Sequence, residues 1–75
     1  MSNDEFSKML MDTQAKYLQI EGKHLTNISR SGQLNALYAV GKRFYEIIYS
    51  YPSREVIKVE EINAEQVMKD YLDQL

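Results

Sequence analysis

His24 is the one histidine in this sequence and its one candidate for a general base, and the residues around it do not complete a catalytic set. There is no cysteine, and no serine sits in a Gly-x-Ser-x-Gly elbow, so the pairing of a base with an activated nucleophile is not written in the chain. A zinc site needs several converging Cys or His ligands, which a lone histidine does not supply. Glu60, Glu61 and Glu65 lack the alternating Asp/Asn ligands and central glycine of a calcium loop, and read as a solvated acidic face. Gly22, Gly32 and Gly41 are ten and nine residues apart and form no phosphate-cradling loop. The sequence therefore predicts a non-enzyme with no metal and no cofactor.

Binding chemistry is better represented. Lys23, Arg30, Lys42 and Arg43 lie in a stretch from Gly22 to Tyr45 that contains no acid, and Tyr38 and Tyr45 interleave with them. Cations alternating with aromatic rings suit an anion or a nucleic acid, which gives segment 23–43 a second functional reading as a small nucleic-acid-binding regulator. The sequence pI of about 5.3 weighs against it, because nucleic-acid-binding domains run above about 9. From Glu46 onward acids dominate, although the net charge is only -2. Such segregation steers a charged partner or draws one end of the fold to the other.

The elements that must carry these residues follow from apolar spacing. Leu34, Leu37, Val40, Phe44, Ile47 and Tyr51 step by three and four, which predicts an amphipathic helix over 33–51 that Pro52 ends. Tyr38, Tyr45 and Tyr49 form a second row on that helix, and Gly41 between the rows reads as a close packing point. Met11, Leu18 and Leu25 recur every seven residues and predict a first helix over 4–28, capped by Asn3 or Asp4. Ser29-Arg30-Ser31-Gly32 is the turn between the two. An alternative ends the first helix near Gln14 and makes 16–21 and 24–28 a β-hairpin turning at Gly22-Lys23. After Pro52, the β-branched run 55–62 reads as a strand. Asn63 with Gln66 then caps a final helix over 63–74, with Val67, Met68, Tyr71, Leu72 and Leu75 on its apolar face.

The expected fold is thus mainly α: a helical hairpin, a short strand and a C-terminal helix, or in the alternative an α-β-β-α-β-α arrangement. The 75 residues make a single domain, 1–75, near the lower size limit for self-sufficiency and without disulfide or metal to staple it. A lone strand leaves its backbone groups unpaired, so Val56 and Val59 would face a second chain. Together with the surplus aromatic face, Tyr38, Tyr45 and Tyr49, this predicts a protein–protein interaction or regulatory adaptor protein that works as a homodimer or on a partner protein. The absence of cysteine, the polar acidic start from Met1 to Glu5 and the lack of a long apolar run place it in the cytoplasm and away from membranes.

Overall fold

The structure, a computed structural model, describes residues 3–72. Helices α1 (Asn3–Ser7) and α2 (Met11–Glu21) come first, followed by strands β1 (Lys23–Arg30), β2 (Gln33–Val40), β3 (Arg43–Ser50) and β4 (Val56–Ile62), and by helix α3 (Ala64–Tyr71). The strands make one antiparallel sheet in the order β1-β2-β3-β4. The mainly α expectation is therefore overturned, because the helical hairpin does not exist. Residues expected as the second helix are the hairpin β2–β3, and the end of the expected first helix is β1. The alternative with an early hairpin fails as well, since residues 16–21 lie in α2 and β1 pairs with β2.

Two tight turns and a two-sided sheet explain the difference. Ser31 and Gly32 have φ of +28° and +78°, so the β1–β2 link takes the doubly left-handed form that matches strand twist. Gly41, expected to be a helix packing point, has φ +60° at the first position of the Gly41-Lys42 turn, a conformation that costs an L-residue roughly 1–2 kcal/mol. Apolar residues of both parities are needed in β2 and β3, because helices cover both faces of the sheet. Ala36, Tyr38, Tyr45 and Ile47 pack with Phe6, Ala15 and Leu18 on one face. Leu37 packs with Val67 and Tyr71 on the other. A strand buried on both faces reads as a continuous apolar run, and a three-four spacing can be drawn through such a run at will.

The seven-residue step between Tyr38 and Tyr45 is likewise hairpin register, since the two are direct cross-strand partners, as are Leu34 and Tyr49. Strand β4 follows the expected span closely and pairs with β3 inside the same chain. The sheet therefore meets the pairing demand that pointed to a second copy, leaving only its two outer edges open. The Asn63 side chain accepts a hydrogen bond from the Gln66 backbone N–H at 2.8 Å, which starts α3 as a local cap. The expected cap at Asn3 or Asp4 rests on side chains outside those described, and the expected run of the last helix to 74, with Leu75 on its face, also ends outside the described residues. Among the described residues no helix is long and apolar enough to cross a membrane.

Candidate functional site

Alternation along β2 sends Leu34, Ala36 and Tyr38 to the face that carries α2, and the register puts Asn27 and His24 of β1 beside Ala36 and Tyr38. Because α2 lies closest to β4, the β1–β2 side of this face is left open as a groove of about 410 Å³. Its floor is Leu34, Ala36, Tyr38 and Tyr49, and its rim is His24, Asn27, Tyr51 and Arg54. The His24 ring lies 5.2 Å from that of Tyr38, and its Nε2 is 2.7 Å from Asn27 Oδ1. Gln19 on α2 donates to the Tyr49 hydroxyl at 2.9 Å, which fixes that ring at the helix end of the groove. Burial raises the Tyr38 phenol above its ordinary range, with the neighbouring Tyr49 hydroxyl adding to the effect. Arg54, with φ +63°, makes no ion pair among the described residues.

The residues expected to contact a partner are divided by the fold. Tyr38 and Tyr45 are only 9% and 4% exposed and belong to the core. Burial and the Glu61 charge raise the Tyr45 phenol, and Arg43 partly offsets them. Val56 and Val59 pack at the margin of the same cluster, and Tyr49 is half-buried against it. The four cations expected at an anion site are dispersed. Lys23, Lys42 and Arg43 lie at one end of the sheet and Arg30 at the other. Arg43 is bound to Glu61 at 2.9 Å and Arg30 to Asp70 at 3.8 Å, so the basic and acidic halves of the sequence pair with each other.

A second constellation went unread in the sequence. On the face under α3, Glu46 is 6% exposed and accepts from Asn35 Nδ2 at 3.3 Å and from the Tyr71 hydroxyl. The signal was there, since Asn35 and Glu46 are polar residues inside the apolar runs of β2 and β3, and a buried polar residue is informative where an exposed one is not. Burial first, and then the bond to Glu46, push the Tyr71 phenol far above its ordinary value. The fold thus holds that proton more tightly than the unfolded chain does. The resulting stabilisation is complete below about pH 10 and declines as pH rises beyond it. Tyr71→Phe leaves a buried carboxylate short of a donor and is expected to cost roughly 1–3 kcal/mol at neutral pH. It should also flatten the alkaline decline, as read from denaturant unfolding across pH 7 to about 11. Unchanged stability together with an unchanged alkaline slope would show that the hydroxyl is not engaged.

Among the described residues no group of three or more His, Asp or Glu side chains is arranged to hold a metal ion. The chain matches no protein-family model, no curated protein sequence and no solved structure.

Proposed function

We propose that this protein is a non-enzymatic interaction module that holds an extended segment of a partner protein in the groove beside α2. The observation that supports it is the make-up of that groove: apolar and aromatic floor, polar rim, and an arginine at its mouth with no acid bound to it. Concave, mainly apolar surfaces with a few placed polar groups are where binding concentrates. Tyrosine and arginine are also the residues that most often anchor protein interfaces. The partner segment is expected to carry an apolar side chain for the Leu34 and Tyr49 floor and an acidic one for Arg54. With the sheet bonded inside one chain and Tyr38 and Tyr45 in the core, neither feature asks for a second copy, which favours a different protein as the partner.

A photo-reactive phenylalanine analogue at Tyr51, which is 49% exposed at the rim, tests the reading. Illumination in the native host should link the chain to a discrete protein, and Arg54→Glu should reduce that adduct at least about tenfold. An adduct with a second copy of the chain, or an adduct indifferent to Arg54→Glu, would defeat this account of the groove. Nucleic acid as the sole cross-linked species would return the reading to the basic segment.

A further inference from the structure

The sheet face under α3 bounds a polar cavity of about 550 Å³, whose lining includes Arg30, Gln33, Asn35, Glu46, Glu60 and Asp70. Three features of it want a donor or a positive charge. Glu46 receives hydrogen bonds from two neutral groups, Asn35 and Tyr71, and forms no ion pair among the described residues. The β3–β4 register sets Glu60 directly opposite Glu46, and like charges in that position repel. Asn35 is 5% exposed, alternation along β2 places it on this face with Glu46, and its Oδ1 has no hydrogen-bond partner. Buried acceptors without donors are rare in folded proteins.

The chain's own cations meet this excess of acceptors only in part. Arg30 sits 3.8 Å from Asp70, and Lys58 reaches Glu60 at 3.2 Å from a side chain that is 59% exposed. The acceptors facing the cavity are all oxygens: Asn35 Oδ1 without a partner, Glu46 with neutral donors alone, and Glu60 with an exposed lysine, spread rather than gathered in a metal-ligand set. A planar cation with several N–H donors suits that pattern, since its fork engages one carboxylate while other N–H groups remain for Asn35 Oδ1 and Glu60.

We propose that this cavity is a guanidinium-binding site, filled by an arginine side chain of a partner protein or by a free guanidine compound. It lies across the sheet from the groove beside α2, so it stands or falls apart from the role proposed for that groove.

The test is an amide-detected NMR titration of the full chain at low salt with three probes: ethylguanidinium, a short arginine-containing peptide, and tetramethylammonium. Ethylguanidinium or the peptide should give saturable shifts at the Asn35 side-chain amide and at the backbone of Glu46 and Glu60. Tetramethylammonium, which carries the charge without donors, should not. Glu60→Gln, on a partly exposed side chain, should weaken binding about tenfold. Glu46→Gln, which still accepts from Tyr71, should do the same with the fold confirmed by its melt. Saturation by the peptide alone assigns the site to a partner's arginine, and saturation by ethylguanidinium assigns it to a small molecule. No saturable shift up to about 10 mM, an equal response to tetramethylammonium, or binding unchanged by Glu60→Gln would overturn the proposal.

Discussion

Leu37→Asp is expected to leave the chain unfolded at room temperature. Leu37 is fully buried between the sheet and α3, against Val67 and Tyr71. Losing its side chain costs about 2–5 kcal/mol, and placing an unpaired carboxylate there adds several more. A domain of this length has a total stability of roughly 4–11 kcal/mol, so the sum reaches or exceeds what is available. Far-ultraviolet circular dichroism and a guanidinium melt check it, with Leu10→Asp as the comparison. Leu10 is 79% exposed and is the N-cap of α2, where an aspartate can accept from a backbone N–H, so its substitution should not lower stability. Cooperative unfolding of Leu37→Asp near the wild-type midpoint would mean that α3 does not cover this face.

Tyr45→Ala should be the most damaging of the tyrosine truncations on the opposite face. Its ring stands 4.8 Å from that of Phe6, which in turn lies 5.8 Å from Tyr17, so one aromatic cluster ties α1 and α2 to β3. Removing a buried aromatic ring costs about 3–5 kcal/mol, a large share of the total, and the denaturation midpoint should fall accordingly with little change in slope. Tyr51→Ala, at the rim of the groove, should be close to neutral for folding. A loss below about 1 kcal/mol for Tyr45→Ala would place its ring at the surface and revive its reading as a partner contact.

The contrast between these tyrosines shows which parts of the sequence were readable. The last third was, because its signals are local: β-branched residues in 56–62 favour an extended chain whatever lies beside them, and Asn63 caps α3 with its own side chain. Residues 33–50 were not, because their pattern is set by what lies above and below them. Leu34, Ala36 and Tyr38 face one layer, Asn35 and Leu37 the other, and only the three-dimensional arrangement tells the two sets apart. The Gly41-Lys42 pair is the local clue to a hairpin, and the spacing of three and four that runs through it masks that clue. Neither the groove nor the cavity is contiguous in sequence. Each gathers side chains from three or more elements, so Arg54 and Glu46 acquire their surroundings only through strand register.

Every strand bonds to the one made just before it, so the sheet has a direction in time as well as in space. No long loop has to close before pairing begins, and the entropic barrier to each successive hairpin stays small. On a ribosome β1 and β2 can zip while β4 is still unmade, yet Leu37 and Glu46 wait for Tyr71, which follows the last strand. A nascent chain stalled before α3 would present a finished sheet with one oily side bare, the form most exposed to chaperones and to proteases.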